Sequence, residues 1–218
     1  MKNTLLTKPQ NFALPFLALT LAVASARADS DNAVKLGNVG QPPDGAIVLS
    51  TGSPGEAVQY RYWDSLENCI SQAQSFLWES DSPLATVGLY LEPIQSEHPW
   101  ETGATQRYKL QIRTGDAPSM AGGTVVGEYE FSIGEQNVGT GGNWLTISFP
   151  PIKLTKGAWY SFQLFPVEMK EGQRILTGRN SGGYEGIWGF CRGKQQQPFT
   201  GGLEDRGDDL TFFLDSSR

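Results

Sequence analysis

The chain has very little of what catalytic relays and zinc sites are built from. Among its 218 residues there are one histidine and two cysteines. A nucleophilic relay needs a base held by its own partner, and a zinc site needs several histidine or cysteine ligands. His98 stands alone between Glu97 and Pro99, and the sequence contains no Gly-x-Ser-x-Gly motif. The sequence therefore predicts neither a serine- or cysteine-based triad nor a zinc site.

Helical periodicity is equally scarce. Only residues 65–76 place apolar side chains at helical spacing, at Leu66, Cys69, Ile70 and Ala73, which favours one short helix or turn there. The 26 glycines, 13 prolines and 11% aromatic residues are typical of strands joined by turns.

The one strongly apolar run lies at the start of the chain. Residues 1–8 are basic, residues 12–24 are almost entirely apolar, and Ala26-Arg27-Ala28 is a small-x-small cleavage motif. This pattern predicts a secretory signal peptide over residues 1–28. Its apolar run is too short for a permanent span, so we expect an exported periplasmic or extracellular protein with no membrane insertion after cleavage.

Positive charge is also in short supply. The formal net charge is −6, and the leader carries Lys2, Lys8 and Arg27 without any acid, so the mature chain is more acidic still. Phosphate backbones and anionic membranes attract basic surfaces. We therefore expect neither nucleic acid nor an anionic membrane as a partner.

What the chain does contain is repeated alternation of apolar and polar residues. The alternation runs through residues 57–63, 72–78, 84–91, 108–113, 124–133, 144–149, 159–165, 187–191 and 210–214. A period of two with one apolar face predicts an all-β fold, a two-layer antiparallel β-sandwich of jelly-roll type. We assign this sandwich to residues 57–218 and a loop-rich N-terminal segment to residues 29–56, with a short strand near residues 46–49 and a loop over residues 37–45.

The two cysteines, Cys69 and Cys191, are expected to form a disulfide. An even cysteine count in an exported chain favours a bridge, although two buried thiols remain the alternative.

Two carboxylates are the candidates for catalysis. Glu128 and Glu130 are two residues apart on one predicted strand, so they share a face at roughly 7 Å. That spacing suits acid–base work on a glycosidic bond. Sandwich glucanases carry a third acid at the next alternate position, where this chain has Ser132, so a polar strand face is the alternative.

An acidic loop is the candidate metal site. Asp205, Asp208 and Asp209 precede the last predicted strand, and calcium takes carboxylate and carbonyl oxygens in such loops. We expect no other cofactor.

Four aromatic residues that we expect to stand at an exposed rim are the candidate ligand contacts. Trp100, Trp144, Tyr184 and Trp188 lie in or beside Gly-rich or Pro-containing segments, where flat rings stack on sugars. Core packing is the alternative for each of them.

Several short stretches resemble known modules. Gln74-Ser75-Phe76, Leu110-Gln111-Ile112, Tyr184-Glu185-Gly186 and the closing run of residues 208–212 resemble bacterial exported jelly-roll modules of the choice-of-anchor type, whose function is uncharacterised. A looser likeness links the chain to carbohydrate-binding modules. The resemblance implies a non-enzymatic envelope module and supplies no catalytic residue.

These observations leave three functions open. The first is an exported, non-catalytic protein that binds an extracellular or envelope ligand such as a glycan. The second is a glycoside hydrolase or lyase that uses Glu128 and Glu130. The third is a structural or adhesive envelope protein with a protein partner.

Overall fold

Two antiparallel five-stranded sheets account for most of the described chain, so the predicted all-β sandwich is confirmed. A computed structural model describes residues 34–50, 70–91, 102–115, 123–138, 142–167, 177–180, 184–186, 188–192 and 209–216. The strands are β1 (Lys35–Val39), β2 (Val48–Ser50), β3 (Ile70–Trp78), β4 (Leu84–Leu91), β5 (Thr105–Thr114), β6 (Val125–Gly134), β7 (Asn143–Ile152), β8 (Ala158–Pro166), β9 (Arg179–Asn180), β10 (Trp188–Arg192), β11 (Asp209–Leu210) and β12 (Phe212–Asp215). One helical turn, α1 (Glu135–Val138), follows β6.

The strand order is that of a jelly roll. The first sheet has the order β1-β7-β4-β12-β2 and the second has the order β10-β3-β8-β5-β6. Apart from the β5–β6 hairpin, the chain from β2 to β8 changes sheets at each successive strand. Eight strands form the two four-stranded layers of a jelly roll. Strand β1 extends one layer beside β7 and β10 extends the other beside β3, while β9 and β11 form a small ribbon.

The core lies between the two sheets and is built by the predicted alternation. Fully buried side chains from the second sheet include Phe76, Trp78 and Phe162, and those from the first include Leu89 and Phe212. Phe162 and Phe212 meet edge to face across the sandwich, with ring centroids 5.3 Å apart. This contact between sheets shows that the inward faces were assigned correctly.

Two segments differ from the sequence predictions. The helix or turn predicted within residues 65–76 is wrong over Ile70–Phe76, which belong to β3, because pairing with β8 and β10 overrides the weak helical spacing. The loop predicted over residues 37–45 is wrong at Gly37–Val39, which pair with Thr146–Trp144 in β7. An edge strand accepts glycine, and at Gly37 a side chain would crowd the Thr146 hydroxyl.

A register shift also moves one predicted core residue to the surface. The predicted alternation over residues 124–133 puts Val125 on the same inward face as Tyr129, but the β5–β6 pairing shifts between Ile112 and Arg113, and Val125 is exposed. The shift leaves Val126 as an extra residue in β6, as in a β-bulge.

Glycine is required at one position in the centre of the first sheet. Gly88 pairs with Phe213, whose ring lies over it on the outer face of the sheet. A Cβ at residue 88 would overlap the ring atoms of Phe213. The ring therefore occupies the space that a side chain on β4 would fill.

We predict that Gly88→Ala lowers the free energy of unfolding by about 1–3 kcal/mol, because the ring must shift in a packed layer. Urea denaturation measures the loss. Gly40→Ala is the matched control, since a Cβ there has open space and should change stability by less than about 0.5 kcal/mol. Equal stability of Gly88→Ala and the original chain would contradict the close packing of Phe213 on β4.

Candidate functional site

The outer face of the second sheet carries an ordered array of polar side chains. Residues on β5, β6 and β8 alternate between core and exterior, and the pairing aligns their outward members in rows. One row is Gln163, Gln111 and Glu128, and a neighbouring row contains Lys109 and Glu130. We call this surface the outer polar face, defined by Arg107, Lys109, Gln111, Arg113, Glu128, Glu130, Ser161 and Gln163.

Ion pairs and hydrogen bonds fix the exposed part of this face. Lys109 Nζ lies 3.0 Å from Glu128 Oε1 and 3.0 Å from Glu130 Oε1. Arg107 donates from Nη2 to Glu130 Oε2 at 2.7 Å. Gln111 donates from Nε2 to Glu128 Oε2 at 2.5 Å. Each carboxylate oxygen therefore accepts one bond and keeps a further lone pair for a ligand.

Arg113 extends this array toward the end of β5. Its guanidinium donates to Gln111 Oε1 at 3.1 Å and to the carbonyl oxygen of Gly123 at 3.1 Å. Gln111 is thus held by a carboxylate through its nitrogen and by a guanidinium through its oxygen. This arrangement assigns the orientation of its amide.

The shared ammonium group controls the ionisation of both glutamates. The hydrogen bond from Lys109 lowers the pKa of Glu130 below its ordinary value, although burial opposes this. Burial works to raise the pKa of Glu128, but hydrogen bonds from Gln111 and Lys109 outweigh it and the pKa falls. Burial likewise opposes the charge on Lys109, yet its bonds to the two carboxylates raise its pKa overall.

Glu128 and Glu130 share a face, as the sequence predicted, but their surroundings shift the pKa of both in the same direction. A pair that cleaves a glycosidic bond needs one carboxyl with a raised pKa as the proton donor. Here the same cation lowers the pKa of both. The arrangement favours the ionised form of both carboxyls, which suits them as acceptors for hydroxyl donors.

The part of the outer polar face over β8 is buried and incompletely hydrogen-bonded. Gln163 and Ser161 are 0% and 1% exposed. Within the described part of the chain, the two polar amide atoms of Gln163 and the hydroxyl of Ser161 all lack a hydrogen-bond partner. Buried polar groups are nearly always paired, and leaving one unpaired costs about 1–3 kcal/mol.

Trp144 is the predicted ligand contact whose place differs most from expectation. It was expected to stand exposed at a rim, which is wrong, since it is 5% exposed. Its ring packs edge to face on Tyr90 and tilted against Phe213, with both centroid distances 5.5 Å, on the outer face of the first sheet. Trp144 lies in β7 directly after the Gly-rich turn, as the alternation of residues 144–149 predicted, and the strand begins one residue earlier, at Asn143.

Tyr184 is half-buried and engaged with the fold. Its hydroxyl accepts a hydrogen bond from the Leu77 backbone N–H at 3.0 Å, and its ring meets Phe212 edge to face at 5.5 Å. Burial raises the pKa of Tyr184 to about 12. These contacts hold the segment before β10 against the end of β3.

Asp209 is the only residue of the predicted calcium loop that the structure describes. It is buried, accepts from Gln74 Nε2 at 3.0 Å and accepts from the Tyr184 backbone N–H at 3.2 Å. Among the described residues, no group of three or more acidic, histidine or cysteine side chains is placed to hold a metal ion.

The remaining predicted site residues and the leader lie outside the described residues. These are Trp100, Asp205, Asp208, Cys69 and residues 1–28, together with the side chains of Trp188 and Cys191, whose backbones belong to β10.

Sequence reasoning missed most of the outer polar face. Arg107, Lys109, Gln111 and Arg113 occupy alternate positions of β5 and look like an ordinary solvent face. The available signal was Gln163, a polar residue between apolar neighbours in a strand that is otherwise buried. Compared with models of known protein families and with curated proteins, the sequence matches none.

We predict that replacing Glu128 and Glu130 by Gln lowers the free energy of unfolding at about pH 7 by roughly 0.5–1 kcal/mol. The two lowered pKa values stabilise the fold above the ordinary glutamate range, and this contribution is lost as the pH falls through the lowered values. The double variant and the original chain should therefore converge as the pH falls below the ordinary glutamate range. Urea denaturation at a series of pH values measures the difference.

Asp81→Asn is the control, because Asp81 pairs with Lys156 at a site where both side chains are highly exposed. It should change stability by a few tenths of a kcal/mol at each pH. A stability difference for the double variant that does not shrink as the pH falls below the ordinary glutamate range would contradict the shared role of Lys109.

We also predict that Tyr184→Phe lowers the free energy of unfolding by about 1 kcal/mol, because the Leu77 N–H loses its acceptor. A pKa raised from 10.0 to about 12 stabilises the fold below pH 10, and that contribution is lost as the pH rises toward about 12. Removing the hydroxyl should therefore also weaken the alkaline fall in stability. If stability fell equally at alkaline pH in Tyr184→Phe and in the original chain, the fold would not raise the pKa of Tyr184.

Proposed function

We propose that this chain is an exported, non-catalytic β-sandwich protein that binds a glycan on its outer polar face. The observation that carries the proposal is the interlocked set of Lys109, Gln111, Glu128 and Glu130, with Arg107 and Arg113 at its ends. These side chains are already held by their neighbours, so little rotamer entropy remains to be lost when a ligand binds.

The chemistry of the face suits a polyhydroxylated ligand. Each sugar hydroxyl can donate to a carboxylate oxygen and accept from an ammonium, guanidinium or amide group. Donors and acceptors alternate here over a few ångströms, as in the pairs Lys109–Glu130 and Gln111–Glu128. Trp159 is half-buried on the same side of β8, two residues from Ser161, and offers an aromatic surface at that end of the face.

The charge balance favours a glycan over a polyanion. The face has three cationic and two anionic side chains within a chain of formal net charge −6. A surface for phosphate polymers concentrates cations without interleaved carboxylates. The two carboxylates at the edge strand β6 would repel such a polymer.

Export is supported by the signal-peptide pattern of residues 1–28. No helix among the described residues is long and apolar enough to cross a membrane.

The disulfide between Cys69 and Cys191 is part of the same proposal, and Cys191 pairs with Ser71, which follows Cys69 by two residues in the sequence. An intact mass two hydrogens below that of the reduced protein, measured on the exported chain, would support it.

The glycan proposal is tested with the mature chain, residues 29–218, on a glycan array and on insoluble polysaccharides, with and without chelator. We expect retention on one glycan class. Lys109→Met and Gln111→Ala should each weaken binding at least about tenfold in calorimetry, the effect of losing a charged or buried hydrogen bond. Sensitivity to chelator would add the calcium site proposed at Asp205, Asp208 and Asp209.

Lys156→Met is the matched control, since it also breaks a lysine–carboxylate pair but lies away from the face, beside Asp81. It should bind like the original chain. Unchanged affinity of Lys109→Met and Gln111→Ala would overturn the placement of the site. No retention on any glycan would overturn the function and favour a structural or adhesive role with a protein partner.

A further inference from the structure

The accessible part of the outer polar face is a narrow band along the β5–β6 hairpin. On β5 the side chains of Thr105 and Arg107 are exposed, and on β6 those of Glu128 and Ser132 are exposed. All four point to the outer side of the second sheet, because they alternate with residues of the core. A ligand on this face therefore meets the hairpin first.

Toward the centre of the sheet the same face is inaccessible. Gln111 is 6% exposed, and Ser161 and Gln163 on β8 are 1% and 0% exposed. A ligand that ran across the strands would have to pass over Ser161 and Gln163, which offer it no accessible surface. The burial of β8 therefore leaves the direction along the strands as the long axis of the site.

The band is much longer than it is wide. Arg107 and Arg113 are six residues apart on β5, which corresponds to roughly 20 Å along the strand. The neighbouring strand β6 lies about 5 Å away. We call this band the hairpin track, defined by Arg107, Lys109, Arg113, Glu128, Glu130 and Ser132.

Donors and acceptors repeat along the hairpin track. The cross-strand pairs are Arg107 with Ser132, Lys109 with Glu130, and Gln111 with Glu128. Each pair joins a nitrogen donor to an oxygen acceptor, and successive pairs are roughly 7 Å apart. A repeating surface of this kind suits a ligand that itself repeats hydroxyl groups along its length.

A sheet face contacts its ligand from one side only. A single sugar on the track therefore reaches the side chains of one or two pairs. The loss of translational and rotational freedom on association is incurred once per ligand, so each further unit adds contacts without repeating that cost. Affinity on this face should accumulate over consecutive units.

The hairpin track is open at both ends. Thr105 is exposed beyond Arg107, and Val125, which pairs with Arg113, is exposed at the other end. Trp159 lies next to the Arg113 end, where its carbonyl accepts a hydrogen bond from the Gly115 N–H at 3.1 Å. A polymer can thus continue past the track in both directions, with an aromatic surface beside one exit.

We propose that the outer polar face binds the internal units of an extended neutral glycan chain that lies along the hairpin track. The inference rests on the proposed function and adds the orientation of the glycan and the part of it that is recognised. It assigns the site to linear chains of several units, with single sugars and chain ends bound more weakly or no better.

The first test measures affinity against chain length by calorimetry. The probes are neutral oligosaccharides of glucose, mannose, galactose and xylose, of one to six units. We expect affinity to rise at least about tenfold between two and six units, and six-unit chains blocked at either end should bind like free ones. Equal affinity at all lengths, or a loss on blocking one end, would overturn the inference and leave the glycan function standing.

The second test removes one cation from each end of the track. Arg107→Met and Arg113→Met should each weaken binding of a six-unit chain at least about tenfold, the effect of losing a charged hydrogen bond. A two-unit chain is too short to reach both ends, so at most one of the variants should weaken its binding.

Lys156→Met is the matched control, since it also removes an exposed cation but lies beside Asp81. It should bind chains of every length like the original protein. Unchanged six-unit binding by either end variant, or loss of two-unit binding in both, would overturn the inference.

The orientation is tested with a spin label on one end of the six-unit chain. The label should broaden the NMR backbone amide signals at one end of β6, either near Ser132 or near Val126. A label on the opposite end of the chain should broaden the signals of the other residue. Equal broadening near both residues from one label would overturn the orientation along the strands.

The two proposals fail in distinguishable ways. A failure of every probe to bind would overturn the glycan function and the hairpin track together. Binding that is independent of chain length would overturn the hairpin track only.

Discussion

The register of β8 between β3 and β5 is the constraint on which the core and the candidate site both depend. In this register Phe162 and Leu164 face the first sheet, while Ser161 and Gln163 face outward in line with Arg113 and Gln111. A slip of one residue would exchange the two sets, moving an amide into the core between the sheets and two large apolar side chains to the outer face. The contact of Phe162 with Phe212 holds this register, because it links the central strand of one sheet to the other sheet.

The sequence was most informative where alternation is long and one-sided. The predicted bounds of residues 84–91 coincide with β4, and the inward residues of β7 and β8 are those expected from period two. Prediction from the sequence failed where pairing with a partner strand determines the local structure. Gly37–Val39 form a strand because they pair with the edge of β7, and no local pattern in this Gly-rich segment predicts the pairing. Trp144 is covered by packing on Tyr90 and Phe213, which come from two other strands.

The candidate site was less predictable than the fold for a related reason. Glu128 and Glu130 could be placed on one face from spacing alone, but their shared partner Lys109 comes from a different strand and depends on the β5–β6 register. That partner lowers the pKa of Glu130 and, together with Gln111, the pKa of Glu128. The unpaired state of Gln163 is likewise a property of burial and of neighbours on β3 and β5, so only the three-dimensional structure reveals it.

The most direct test of the account is to map by NMR which face of the sandwich meets a neutral oligosaccharide. The account predicts that the side-chain amide signals of Gln111 and the indole N–H of Trp159 shift on titration. The indole N–H of Trp144, on the outer face of the first sheet, should stay in place. Shifts confined to Trp144 and its neighbours, or no shifts with any oligosaccharide, would contradict the central claim that the outer polar face is the binding surface.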